Sequence, residues 1–397
     1  MTGTEQLRLR YVLSPREETD RIDLPVLSVY RDHGVVTKDS RTDNYNKTPE
    51  DLSRYQRVAI GDLVVNKMKA WSGSIAVSRY QGIVSPDYLV CRVNDRVLPN
   101  FLHHVVRSVP FVAGMRSWSK GIRPSQERLY WDDLADMEVS IPPLSDQRQI
   151  ADFLDDQVTL LDHAVDLRQS QIALLEERFK AELDRAVAPP GATDCRLKHL
   201  CQGPGQYGFN IPASEYVDKG VGMRLIRTTD LHSGRLTDET DGIYVLGPVE
   251  EKFLLHRGDV LVSRAGTVGR AFLVPKSAVG MTFAGFLVRF RPKPHVDPRF
   301  LAYSIQCPAV QGQVQEGAIV STIQNFNAER YAELRVHSLD SEAQRHVADR
   351  LDAHRHEFER VTGHLTRSTT LLQERKQALI SAAVTGQFDV TAARRVA

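Results

Sequence analysis

No stretch of the chain is apolar for long enough to cross a bilayer, and its start carries no secretion signal, which predicts a cytoplasmic protein. Cysteine is scarce. Cys91, Cys195, Cys201 and Cys307 have no paired metal-ligand spacing, and Cys195 and Cys201 have no histidine at ligand distance in sequence, so all four are expected to be free thiols in a reducing compartment. The signatures of several enzyme classes are also missing. There is no G-x-x-x-x-G-K-[ST] loop for a nucleotide-driven motor, and no Asn-Pro-Pro or Asp-Pro-Pro run with a cofactor loop for a methyltransferase. Gly203-Pro204-Gly205-Gln206-Tyr207-Gly208 fits G-x-G-x-x-G in form, but Asn210-Ile211-Pro212 follows where a helix has to begin. Glu250-Glu251-Lys252 matches half of a nuclease motif without a metal-binding aspartate to complete it, and adjacent His103-His104 reads as a helix face because neighbouring helical residues diverge.

Acid is absent locally. Net charge is only +1 over 397 residues, with 42% hydrophobic and 25% charged residues, an ordinary globular balance. Yet residues 96–126 contain no Asp or Glu and carry Arg96, Arg107, Arg116, Lys120 and Arg123. Residues 260–296 likewise carry Arg264, Arg270, Lys276, Arg289, Arg291 and Lys293. Unopposed positive charge is what a phosphate backbone attracts, although solvated positions on a sheet protein would look the same.

What the chain does have is a duplication, displaced by 197 residues. Gly61-Asp62-Leu63-Val64-Val65 returns as Gly258-Asp259-Val260-Leu261-Val262, Gln147-Arg148 as Gln344-Arg345, and Glu177-Arg178 as Glu374-Arg375. Each half reads as a mixed domain of short β-runs (1–140, 189–335) followed by a long helix (141–188, 336–390), with a short basic tail at 391–397. Short helices are expected after Pro99 and Pro298, turning Phe101, Leu102, Phe300 and Leu301 inward.

The long helices carry the clearest periodicity. Ile141-Pro142-Pro143 excludes helix before the first, and Ser145 is the expected N-cap. Leu154, Val158, Leu161, Val165, Arg168, Ile172, Leu175 and Phe179 alternate at spacings of four and three. In the second helix Leu351, Phe358, Leu365, Leu372 and Leu379 recur every seven residues, while Arg355, Thr362, Thr369 and Lys376 fill the alternate seam positions. So thin a stripe suits a richer partner better than a copy of itself, and the first helix is the nearest. The expectation is an α+β chain with two similar mixed domains, and with both helices, about 35–40 residues each, forming an intramolecular antiparallel coiled coil of pseudo-two-fold symmetry. Leu161 is expected opposite Phe358 or Leu365.

Gly61-Asp62-Leu63-Val64-Val65-Asn66-Lys67-Met68-Lys69-Ala70-Trp71, Gly82-Ile83-Val84-Ser85-Pro86-Asp87-Tyr88 and the join Ile141-Pro142-Pro143-Leu144 with Gln147-Arg148-Gln149-Ile150-Ala151 are similar to motifs of the DNA-specificity subunits of type I restriction-modification enzymes. So are Gly258-Asp259-Val260-Leu261-Val262-Ser263-Arg264-Ala265-Gly266-Thr267-Val268-Gly269, Glu374-Arg375-Lys376-Gln377-Ala378-Leu379-Ile380 and Thr385-Gly386-Gln387. The resemblance covers nearly the whole chain in the family's order. It implies a non-catalytic subunit that reads a bipartite target in double-stranded DNA, present as one copy beside two methylation subunits and the restriction/translocase subunits. It further implies no cofactor bound by this chain, with S-adenosylmethionine, ATP and Mg belonging to the partners. At the second helix join Val336-His337-Ser338-Leu339-Asp340 replaces the proline pair, so that junction is expected to be less rigid or differently bent. The alternatives are a stand-alone methyltransferase or nuclease with degenerate motifs, and a coiled-coil scaffold that does not bind DNA.

Candidate DNA-binding residues fall in two sets. Lys67, Lys69 and Trp71 follow a strand in a Gly-bounded loop, with Trp71 more a support for the loop than a contact; Arg264, Thr267 and Arg270 occupy the matching loop of the second half. Arg116, Lys120, Arg123 and Gln126 precede the first helix join, and Thr322, Gln324 and Asn325 the second; Arg can bond guanine and Gln or Asn adenine in bidentate fashion.

Overall fold

The computed structural model describes residues 3–40, 48–119, 127–232, 235–236, 242–317, 319–320 and 324–390, with backbone alone at 231–232, 235–236, 319–320 and 324. The chain divides into two compact units, residues 1–169 with 366–397, and residues 170–365, so each long helix contributes a part to both.

In the first unit an antiparallel sheet has the order Leu13–Pro15, Tyr88–Val93, Leu63–Asn66, Ile75–Val77. Side chains alternate across it. Leu63, Val65, Ile75 and Cys91 pack with Phe101, Leu102 and Met115 of the short helices Pro99–Arg107 and Val109–Trp118. Val64, Ala76 and Val90 pack on the other face with Leu27, Val29, Val58 and Val84. A sheet covered on both faces needs no polar alternation, which explains the uninterrupted Leu63-Val64-Val65 run. The first strand, Glu5–Arg8, pairs antiparallel with the last, Glu138–Ile141, closing the domain just before the central helix.

The second unit repeats this plan. Its sheet runs Gln206–Tyr207, Leu287–Phe290, Val260–Ser263, Ala271–Leu273, with Phe300 and Leu301 of helix Pro298–Gln306 buried against one face and Ile226, Leu255 and Phe283 against the other. Strand Thr193–Arg196 closes against Arg335–Ser338. A further four-stranded sheet, with one parallel pair, adds to this unit.

The long helices, Leu144–Val187 and Ser341–Val384, are 44 residues each, longer than the seam alone implied because each starts directly after its join. The central helix starts at Leu144, so Ser145 lies inside its first turn instead of capping it; the Pro143 carbonyl accepts from the Asp146 and Gln147 amides. The expected seam residues, including Leu154, Val165 and Leu351, are buried or half-buried along both helices. Within the first unit Phe153 stacks on Phe388 at 5.7 Å between ring centroids, and Lys376 donates to Asp162 at 2.5 Å. Within the second Phe179 stacks on Phe358 at 5.2 Å, and Arg350 meets Glu182 at 3.4 Å. In each unit one helix number rises as the other falls, so the helices pair antiparallel. This register corrects the pairing of Leu161 with Phe358 or Leu365: Asp162 faces Lys376, and Phe358 belongs to Phe179. Heptads a turn or two apart are equivalent by pattern, and the stacked rings and the ion pair select among them.

One buried glutamine locks each domain to its helix. Gln147 accepts from the Leu98 amide (2.8 Å) and donates to the Arg96 and Pro142 carbonyls (3.0 and 2.9 Å). Gln344 accepts from the Asp297 amide (2.8 Å) and donates to the Leu339 carbonyl (2.7 Å). The second join thus keeps the clamp of the first without prolines, and Asp340 accepts from the Glu342 and Ala343 amides to start its helix. About two turns further on, Asp155 accepts from His104 and Arg79 (3.0 and 3.1 Å), while Asp352 accepts from Tyr303 and Arg299 (2.6 and 2.8 Å).

Candidate nucleic-acid interface

In the first unit three segments meet behind the loop that follows strand Leu63–Asn66. The Lys67 amide donates to the Asp87 carbonyl, and the Lys67 carbonyl accepts from the Leu129 amide, both at 3.0 Å. Leu129 is fully buried and holds its segment in place. The turn Ala70–Ser72 ends on Gly73 at φ +91°, where a Cβ would press on Val112 of the neighbouring helix. Trp71 donates its indole N–H to the Met68 carbonyl (3.1 Å) and is half-buried, in keeping with a support for the loop. Lys69 is exposed. The Lys67 ammonium is held below its usual pKa mainly by burial, with Arg128 adding to the effect and Asp87 opposing it. A cation short of water beside a second cation gains from an arriving anion.

The second unit builds the same junction from different side chains. The Arg264 amide donates to the Phe286 carbonyl, and the Arg264 carbonyl accepts from the Phe326 amide, both at 2.9 Å. Ser263 braces the loop: its hydroxyl donates to the Thr267 carbonyl (2.5 Å) and accepts from the Arg270 amide (3.0 Å). Buried Tyr331 donates to the Ser263 carbonyl (2.8 Å). The Arg264 guanidinium lies over the Tyr207 ring at 4.8 Å and donates to the Asn325 amide oxygen at 3.4 Å. Arg264 and Asn325, sixty-one residues apart in sequence, are therefore in one cluster. Thr267 and Arg270 are exposed on the same loop.

Arg116 is exposed in the last turn of its helix, beside Trp118, which is 41% exposed. Lys120, Arg123, Gln126 and Thr322 lie outside the described residues, and Gln324 is described in backbone alone, paired with Val320. Sequence reasoning missed Arg128 and Phe286. Arg128 sits next to the buried anchor Leu129, at 3.5 Å from Asp87; Phe286, 64% exposed, takes in the second unit the place of Asp87. Counting residues from each loop by the 197–199 displacement would have found both.

Acid-free sequence is not acid-free space. Arg291 is bidentate on buried Asp259 (2.7 and 2.9 Å), and Arg289 donates to the Lys252 and Leu254 carbonyls. Arg107 is half-buried and donates to the Asp32 carbonyl (3.2 Å), and Arg96 pairs with Glu5 (2.8 Å). Arg291, Arg289 and Arg107 are thus held within the fold and Arg96 is paired at the surface, so the acid-free stretches offer less free positive charge than the sequence suggests.

The rival chemistries gain no support. No group of His, Cys, Asp and Glu among the described residues is placed to hold a metal ion. Gly205 and Gly208 are packing glycines: a Cβ would collide with Phe290 at 2.9 Å and with the Ala284 carbonyl at 2.2 Å. Burial pushes the Cys91 and Cys201 thiols up to about 12 and Cys307 to about 11, which leaves them unreactive. No described helix is long and apolar enough to cross a membrane.

These features define a class: a duplicated α+β chain in which each unit holds a braced, basic loop cluster on a mixed domain clamped to long antiparallel helices. Solved structures supply particular representatives of the fold. A protein from work on complex assembly and conformational transition of the type I R-M system matches over 97% of this chain and 98% of its own, with a TM-score of 0.73 and 19% identity. The HsdS subunit from Thermoanaerobacter tengcongensis aligns over 98% of both chains at a TM-score of 0.49 and 19% identity. The type I restriction-modification S subunit from M. genitalium aligns over 96% of both at 0.41 and 10%. No family model and no curated protein matches the sequence.

Proposed function

We propose that this chain is the DNA-specificity subunit of a type I restriction-modification complex. It performs no chemistry itself. It reads one part of a bipartite duplex target with each loop cluster and recruits two methylation subunits, which supply S-adenosylmethionine and adenine methylation, and ATP- and Mg-dependent restriction/translocase subunits. The observation that carries the reading is the repeated three-segment junction. The same backbone hydrogen bonds at Lys67 and at Arg264 present different side chains, as two readers of unlike half-sites require. The whole-length fold likeness to a protein of a type I R-M system supports it.

Partner docking has a candidate surface on the central helix. Leu160 and Leu167, seven residues apart within the first unit, are 64% and 51% exposed, an apolar pair beside the buried seam. The test is binding of the purified full chain to duplex DNA across a salt series. Affinity should fall steeply with salt, and Lys67→Ala and Lys69→Ala should each lower the slope of log K against log salt by about one. Methyl transfer or strand cleavage by the chain alone would sink the reading, and so would salt-insensitive or absent DNA binding.

A further inference from the structure

We propose that the residue preceding the buried anchor of each junction, Arg128 before Leu129 and Asn325 before Phe326, is a specificity-determining residue of its unit, and that Asp87 and Arg264 are the positioning residues that aim them. The inference rests on the DNA-reading function proposed above and goes on to name the readers.

The two positions are structurally equivalent. Each immediately precedes an anchor whose amide is bonded to the first loop, at the Lys67 or the Arg264 carbonyl. Each side chain is held by a group from a different segment. Arg128 Nη1 lies 3.5 Å from Asp87 Oδ1, and its Nη2 faces the Met68 sulfur at 3.8 Å, while the side chain stays 40% exposed. The half-exposed ion pair draws Nη1 toward the carboxylate and leaves further N–H groups of the guanidinium open, the donors that read guanine O6 and N7. Asn325 is exposed, and its Oδ1 accepts from Arg264 Nη2 at 3.4 Å. That contact settles which side of the amide is the acceptor and leaves a second lone pair and the amide N–H groups for an adenine edge. Arg264 is in turn held over Tyr207, whose hydroxyl donates to Glu329 and accepts from the Ala328 amide, both at 2.9 Å. Asp87 has no counterpart in the second unit, where Phe286 stands in its place, so the two halves aim unlike readers by unlike means.

The experiment is selection from a randomised duplex library by the full-length chain and its variants, with thermal unfolding recorded for each. Arg128→Gln should move the preferred base at one position, or two adjacent ones, within one half of the target, and leave the other half unchanged. Asn325→Arg should do the same in the other half. Asp87→Asn should broaden preference at the Arg128 position by roughly tenfold, since a freed guanidinium discriminates less. Arg128→Lys keeps the charge and the ion pair but not the fork. It should lose the base preference while retaining the melting temperature, which keeps the test valid where Arg128→Gln fails to fold. Variants that keep the wild-type preference, or that weaken every sequence alike, would overturn the proposal while leaving DNA reading intact. A wild-type chain that selects no sequence would overturn both.

Discussion

A buried amide has to satisfy both ends, and Gln147 does so with three backbone groups drawn from around the first helix join. Gln147→Leu fills similar space but leaves the Leu98 N–H and two carbonyls without a partner. Unfolding in urea should show a loss of about 2–4 kcal/mol, and a change of only a few tenths would mean that water replaces the side chain. Gln147 and Gln344 were visible in the sequence as a repeat, yet their role was not, because Arg96 and Leu98 lie some fifty residues away and meet Gln147 only in the folded unit. Arg128 has no local mark of this kind; only its offset of 197 residues from Asn325 points to it, and the docking of Leu129 on Lys67 gives that offset a meaning. His103 offers a pH test. Burial, with Arg107, His104 and Arg79 facing it, holds its imidazole down to about 3. The folded state therefore binds fewer protons here than the unfolded chain, whose histidine titrates near ~6.5. This contribution is complete above that value and is lost as pH falls from there toward 3. In His103→Gln, unfolding midpoints measured between pH 7 and 5 should fall less than in the parent, and an identical profile would remove His103 from the acid response.

At the scale of elements, the long helices were the most legible part of the chain. Period and polarity gave the seam, since burial follows a four-three alternation whatever the partner. Register was not legible, because a heptad pattern fits itself again after seven residues. Leu154 is fully buried on this seam, so Leu154→Ala should cost about 2–5 kcal/mol in denaturant unfolding. The exposed pair behaves oppositely: Leu160→Glu with Leu167→Glu should leave unfolding within about 1 kcal/mol and abolish co-purification of a methylation subunit. Retained co-purification would move docking elsewhere. Cysteines replacing Asp162 and Lys376 should be bridged by a short bis-thiol reagent within one chain at high dilution; purely intermolecular products would overturn this pairing.

At the scale of the whole molecule, duplication supplies two copies of one plan; the second adds a four-stranded sheet and a proline-free join, and the two junctions present different side chains. Exchange of residues 189–335 for another recognition domain should therefore change one half of the target and leave the other, as read from methylated adenines across a genome; a change in both halves would contradict modular reading. The helices impose a condition on any such graft. Gln344 needs a backbone N–H where Asp297 stands, and Asp352 needs a donor where Tyr303 stands. The first demand is met by any residue except proline, but the second depends on a side chain. A graft carrying Phe at the Tyr303 position leaves Asp352 to Arg299 alone, removing one charge-assisted hydrogen bond. Its stability should drop by about 1.5–3 kcal/mol relative to the same graft with Tyr, while the base preference of either half stays as it was. A shift in preference instead would mean that the clamp on the helix, and not the loop cluster alone, sets what the domain reads.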